Sequence, residues 1–175
     1  MPCGKEKGFT LIDLLLVVMI LGIAGMILAP QFNTMLDEAK LNEATGELVS
    51  GLQYAQNLAV RHQRPFGVLA DTDGNWFNVF DSQYKDDSNP HPAADPPVNA
   101  YGVVLHPMDK NWYLTDFDTM ETYSGVSLST IPAGGEIRFY PDGHSSSSSG
   151  TFVLSLAKRQ KTIIVDGVTG RVSVQ

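Results

Sequence analysis

From Phe9 to Ala29 the chain reads "FTLIDLLLVVMILGIAGMILA", apolar or small at every position except Thr10 and Asp13. As a helix this run is about 31 Å long at ~1.5 Å per residue, the depth of one bilayer crossing. Asp13 is the anomaly within it. A carboxylate near the bilayer centre costs about 2.5–3.5 kcal/mol on insertion scales. Any fold of this chain must give the run an apolar setting, and the acid, near the segment's start, either snorkels to the cytoplasmic interface or finds a compensating charge.

The flanks orient the segment. Lys5 and Lys7 precede it, which predicts a cytoplasmic N-terminus and places everything after Pro30 outside, in a Gram-negative cell the periplasm. The expectation is a single-pass inner-membrane protein. A cleaved secretory signal would have a shorter apolar core and a small-x-small site, which "GIAGMILA" mimics only weakly. The whole chain is 43% hydrophobic with mean hydropathy −0.06. That is no polytopic membrane profile; the apolar excess sits at the N-terminus. Net charge is −7 and the pI about 4.9. Such a balance makes nucleic acid an unfavourable partner, since neutralising phosphates needs clustered Lys and Arg. Cys3 is the only cysteine, so no disulfide forms within the chain.

Helical spacing continues beyond Pro30, a residue that removes one backbone hydrogen bond and loosens the preceding turn. Phe32, Met35, Ala39, Leu48, Leu52, Ala55 and Ala59 fall on one stripe, while Asp37, Glu38, Lys40, Asn42, Glu43 and Glu47 cover the other faces. Gly46 and Gly51 each weaken the helix by about 1 kcal/mol relative to Ala. Arg61, His62 and Arg64 suit its C-terminal dipole, and Pro65 closes it. The reading is one long helix, membrane-embedded over 9–29 and amphipathic over 30–64.

From 65 to 175 the period becomes two. Strands are predicted at 66–70, 75–80, 101–106, 136–140, 151–157, 161–166 and 171–174, with "WYLTDF" as a further candidate. "DTDGN", "PDGHSSSSSG" and "DGVTG" separate them as turns, and the serine run 145–149 reads as a flexible hairpin tip. Residues 82–100, with four prolines, read as an extended surface loop, and 107–135 gives the weakest pattern. The fold class is α+β: a long N-terminal helix packed on an antiparallel sheet or sandwich-like domain.

Few residues suggest chemistry. His62, His91, His106 and His144 lack metal-ligand spacing. "DTDGN" at 71–75 starts like a calcium loop but lacks the later bidentate Glu, so a hairpin turn is the better reading. The stretch 109–121 gathers Asp109, Trp112, Asp116 and Asp118, acids among aromatics that suit calcium or a basic partner, against the simpler reading of a solvated loop. The serine run has no nucleophile elbow and no His–Asp support. No catalytic residue, cofactor or metal is assigned, and the chain does not read as an enzyme.

The segment "GFTLIDLLLVVMILGIAGMILAP" resembles the class III signal of type IV pilins and type II secretion pseudopilins. "LQYAQNLAVRHQRPFGV", "IRFYPDGHSSSSSGTFVLSL" and "KTIIVDGVTGRVSV" narrow the resemblance to the GspH/FimT group of minor pseudopilins and minor pilins. It implies the pilin-like form of the fold, and a leader, residues 1–8, cut by prepilin peptidase between Gly8 and Phe9, with N-methylation of Phe9. Lys5, Glu6 and Lys7 sum to +1, so the remaining chain would carry −8. The resemblance also implies that Gly22 and Pro30 loosen the helix. It assigns Asp13 to filament assembly, its carboxylate neutralising a neighbouring subunit's new terminal amine. The family has Glu there; Asp keeps the charge but is one methylene shorter.

The implied partners are other pseudopilins or pilins in a hetero-oligomeric filament, prepilin peptidase and the inner membrane, with secreted proteins admitted. The leading reading is a minor pseudopilin of a type II secretion system, in or near the pseudopilus tip, supporting protein export. The alternative is a FimT-like minor type IV pilin serving pilus assembly or DNA uptake. In it, Lys158, Arg159, Lys161 and Arg171 would contact DNA. A third reading, an enzyme or binding domain on a borrowed anchor, has no catalytic constellation behind it.

Overall fold

A computed structural model of the chain describes residues 11–82, 102, 104–147 and 149–175, without the side chains of 27–33. By its contacts the chain divides into Met1–Asp37 and Glu38–Gln175. One helix, α1 (Leu11–His62), spans the boundary.

In the first unit, the apolar side chains from Leu11 to Met26 point outward on every side, with Leu11 77% and Met26 84% exposed. A helix that is apolar all round needs an apolar environment from outside itself. Among the described residues no helix is long and apolar enough to cross a membrane. Both ends of the expected crossing, Phe9 and the side chains of residues 27–29, lie outside the described residues, as does the side chain of Pro30.

In the second unit α1 buries Leu41, Ala44, Leu48, Leu52, Ala55 and Ala59, three or four residues apart. The expected stripe is therefore right from Leu48 onward but begins at Leu41. Ala39 is exposed, as is Met35 in the first unit; Phe32 lies outside the described side chains. Gly51 has a use the propensity argument missed. A Cβ there would stand 2.8 Å from the Phe77 ring, so the glycine admits the ring against the helix. The helix ends at Gln63, which takes φ 54°, the left-handed turn that terminates many helices. Arg64 then pairs with the buried Asp81 at 2.6 Å.

Eight strands follow: β1 (Phe66–Asp71), β2 (Trp76–Asp81), β3 (Leu114–Asp116), β4 (Ser127–Thr130), β5 (Glu136–Phe139), β6 (Ser149–Leu156), β7 (Arg159–Asp166) and β8 (Val172–Val174). They form two four-stranded antiparallel sheets, ordered β3-β2-β1-β5 and β4-β6-β7-β8. One core joins them to the helix. It takes Leu48 and Leu52 from α1, Val68 and Phe77 from the first sheet, and Phe152 and Ile163 from the second. Phe77, Phe139 and Phe152 are fully buried, so truncating any of them to Ala costs about 3–5 kcal/mol.

The period-two reading holds for β6, where Phe152, Leu154 and Leu156 face the core. It fails for β1 and β2, which are buried on both faces. Phe77 and Val79 enter the main core, while Trp76 and Phe80 join Leu69 in a second cluster.

Residues 107–135 hold β3, a 3-10 turn at Glu121–Tyr123, and β4, which carried no legible pattern. Of the strand expected at 101–106 the described residues show the bridge of Leu105 to Trp112; Tyr101 and Val103 lie outside the described residues, as does the loop expected at 82–100 from residue 83 on. The serine run departs from the flexible tip expected of it. Ser145 is buried and bridges Phe139, and Ser146 exchanges hydrogen bonds with the backbone of Arg138. Short hydroxyl side chains bond local backbone readily, and here they occupy the edge of β5.

Candidate functional site

Polar and aromatic groups gather where α1 meets the hairpin around His106–Asn111. Glu47, on the flank of the helix, and Tyr113, fully buried beside it, share a hydrogen bond that the phenol donates. Burial, with the Glu47 carboxylate close by, holds the Tyr113 phenol well above the ordinary tyrosine range. Burial and the same carboxylate push Tyr123 in the same direction. A carboxylate held near a phenol opposes the appearance of a second negative charge.

His106 stands edge-on to the Tyr113 ring, centroids 4.5 Å apart. One ring nitrogen is 3.8 Å from Glu47 and the other 3.3 Å from Asp109. Asp109 also accepts the backbone N–H and side-chain amide of Asn111, and that backbone bond is the main cause of its carboxyl lying below the usual range. Together with Trp112, Met120 and Tyr123 these groups enclose a cavity of about 180 Å³. Full-sized small-molecule sites run to roughly 300–1,000 Å³, so this cavity suits the end of one side chain.

The four residues expected on a partner surface separate here. Asp109 and Trp112 line the cavity. Asp116 instead caps its own turn through the N–H groups of Asp118 and Thr119, and Asp118 accepts from Asn75. Asp71 does likewise at 71–75, accepting from the N–H groups of Asp73 and Gly74. Asp71, Asp109 and Asp116 thus serve as turn acceptors, and the described residues contain no group of three or more acidic, His or Cys side chains placed to hold a metal.

The basic residues of the nucleic-acid alternative are also divided. Lys158 sits in the β6–β7 turn, Arg159 pairs with Glu38 at 2.6 Å, and Lys161 follows on β7. Arg171 lies opposite Asp166 at the far end of β7. Five residues of strand separate it from Lys161, about 17 Å at ~3.4 Å per residue. Asp13 and Gly22 both lie in the apolar part of α1, Asp13 in its first turn and exposed. Gly8 and Phe9 are outside the described residues.

Two structural anchors escaped the sequence reading. Asn75, buried with φ 53°, donates to Asp118 and to the Val126 carbonyl and accepts from Leu128 N–H. It thereby ties the β1–β2 turn to β4. Gln56 of α1 donates to the carbonyls of Gly143 and Thr169, holding two turns against the helix. Neither has a sequence signal, because each bond closes a long span of chain.

The family model described as "Type II transport protein GspH" matches residues 44–170. Among solved structures, the Pseudomonas aeruginosa type IV minor pilin FimU is similar at 17% identity and TM-score 0.52, covering 81% of this chain and 92% of that one. The Vibrio cholerae minor pseudopilin EpsH, from the type 2 secretion system, is similar at 15% identity and TM-score 0.51, covering 78% and 96%. No curated protein sequence matches the chain. Both structures share the helix-on-antiparallel-sheet fold.

Proposed function

The chain belongs to the GspH family of type II transport proteins, and we propose that it works as a minor pseudopilin, built into a periplasmic pseudopilus in or near its tip. Members of this family are pilin-like structural subunits that assemble with others of their kind. The match over residues 44–170 carries the reading. Supporting it, the stretch from Leu11 to Met26 exposes apolar side chains on every side, so it needs lipid or neighbouring helices around it.

In this proposal residues 1–8 are the leader, prepilin peptidase cuts after Gly8, and Phe9 becomes the methylated N-terminus. Residues 9–29 anchor the subunit in the inner membrane, with the domain after Pro30 in the periplasm. Asp13 answers the terminal amine of a neighbouring subunit, a charge pair favoured where unpaired charges are heavily penalised. Gly22 and Pro30 loosen the helix during assembly.

Deleting the gene and following an exported protein tests the role. The expected result is accumulation of that protein in the periplasm, restored by the wild-type gene. Normal export with loss of pilus-dependent behaviour would transfer the assignment to the FimT-like minor pilin, whose fold is equally compatible. N-terminal sequencing of the membrane-extracted chain should begin at Phe9. A start at Met1 or after Ala29 contradicts the processing scheme.

The DNA-uptake form of that alternative is less well supported. The mature charge would be −8, Arg159 is already paired, and Arg171 stands apart from the Lys158–Lys161 group. A gel-shift titration showing tight, salt-sensitive DNA binding would reverse this ranking.

A further inference from the structure

We infer that the cavity between α1 and the 105–112 hairpin is a docking pocket for one arginine side chain of a partner protein, presented between apolar residues. This goes beyond membership of a filament by naming a contact surface and the chemistry it accepts.

Three observations converge. First, the cavity lining carries two carboxylates, Glu47 and Asp109, with the His106 ring 3.8 and 3.3 Å from them, and no Lys or Arg among the described residues. Lys110 is nearby in sequence, but its ammonium is engaged by the Pro107 carbonyl. Second, the walls are aromatic, with Trp112, Tyr113 and Tyr123 contributing. A guanidinium stacks on aromatic faces and bonds carboxylates in the plane of its fork, whereas an ammonium is a compact, strongly hydrated point charge. Third, exposed apolar side chains occur at the cavity and on its hairpin. Among the described residues of Glu38–Gln175 the exposed large hydrophobics are Val60, Leu105, Met108, Met120, Val168 and Val174. Met120 lines the cavity, and Leu105 and Met108 flank His106 on the same hairpin. Met108 is 86% exposed. A half-buried polar centre with apolar neighbours can be desolvated fully when a partner covers it, as interface anchors are, and flexible Met side chains adapt to such contacts.

The volume supports the same occupant. About 180 Å³ admits the head of one long side chain, while roughly 300–1,000 Å³ is usual for a small-molecule site. Net charge is −7, which favours approach of a basic segment.

The test uses the full chain in a nonionic detergent, with methyl-labelled methionines observed by NMR. The probe is acetyl-Leu-Arg-Leu-amide. Its control replaces arginine by citrulline, which keeps the shape and removes the charge. The arginine peptide should shift the Met120 and Met108 methyls saturably, and the citrulline peptide should bind at least about five-fold more weakly.

Glu47→Gln should bring the arginine peptide down to the citrulline level. Asp109→Asn, on an exposed turn outside the buried core, should weaken it about two-fold. A lysine peptide should fall between the two. Equal shifts from arginine and citrulline peptides, indifference to both substitutions, or no shift at about 5 mM arginine peptide, a concentration that would reveal even millimolar affinity, would each overturn the inference. Because the measurement needs no filament, its failure leaves the secretion reading intact, and normal export in the deletion strain leaves this pocket untouched.

Discussion

Asn75 sits in a hairpin turn with φ 53°, a conformation Asn tolerates better than most residues, and makes three side-chain hydrogen bonds while 6% exposed. Replacing it with Ala strands the Leu128 N–H and the Val126 carbonyl and loses the tolerance for positive φ. The expected cost is about 3 kcal/mol or more, read from urea unfolding of the detergent-solubilised chain. Asn75→Gly relieves the backbone but not the orphaned partners, so it should recover only part of that loss. Tyr113 gives a second expectation at this scale. Its folded-state pKa is raised, so its contribution to stability is complete below the unfolded value of about 10 and is lost as pH rises beyond that. Phenolate absorbance should show Tyr113 and Tyr123 ionising above the ordinary tyrosine range. Tyr113→Phe should leave one late phenol and flatten the alkaline decline in melting temperature. An unchanged titration would mean that Tyr113 is not held by burial beside Glu47.

The helix and the hairpins show why some elements were legible and others were not. α1 declared itself by apolar spacing and by Pro65; β6 and β7 declared themselves by alternation between turn signals. β4 did not, because "SLST" offers one apolar residue, Leu128, buried among exposed neighbours. β1 and β2 concealed a second buried face, since strands covered on both sides lose the alternation that marks them. The cavity was half legible: Asp109 and Trp112 stood in an acid–aromatic stretch, but Glu47 read as an ordinary polar helix position. No local rule couples a helix flank to a hairpin far along the chain. The "DGVTG" turn was read correctly as a turn, yet its tightest constraint was invisible. A Cβ on Gly170 would lie 2.1 Å from the Gly143 carbonyl oxygen and 2.4 Å from the Gln56 amide nitrogen, and φ there is 65°. Gly170→Ala should therefore push the two turns off α1 and cost more than Gln56→Ala, which only removes two hydrogen bonds at about 1 kcal/mol each. Thermal melts should rank wild type, Gln56→Ala and Gly170→Ala in that order; an alanine at 170 without effect would mean the turns are not packed as described.

At the scale of the whole molecule, the two units pose separate physical problems. Glu38–Gln175 carries its own core, drawn from α1 and both sheets. The described part of Met1–Asp37 exposes apolar groups on every side and so depends on lipid or on other subunits. Asp13 is where these demands meet. Removing its carboxylate removes a desolvation cost, so Asp13→Ala should insert as well as wild type or better. If the carboxylate also answers a neighbour's terminal amine, the same substitution leaves that amine uncompensated in a low-dielectric contact. Incorporation into sheared filaments should then drop by about ten-fold, the effect of about 1.4 kcal/mol, with membrane content unchanged. Asp13→Asn separates charge from shape and should fail equally. Asp13→Glu restores the longer reach and should match or exceed wild type. Filament content that is the same for all four chains would mean that the acid serves some purpose other than assembly.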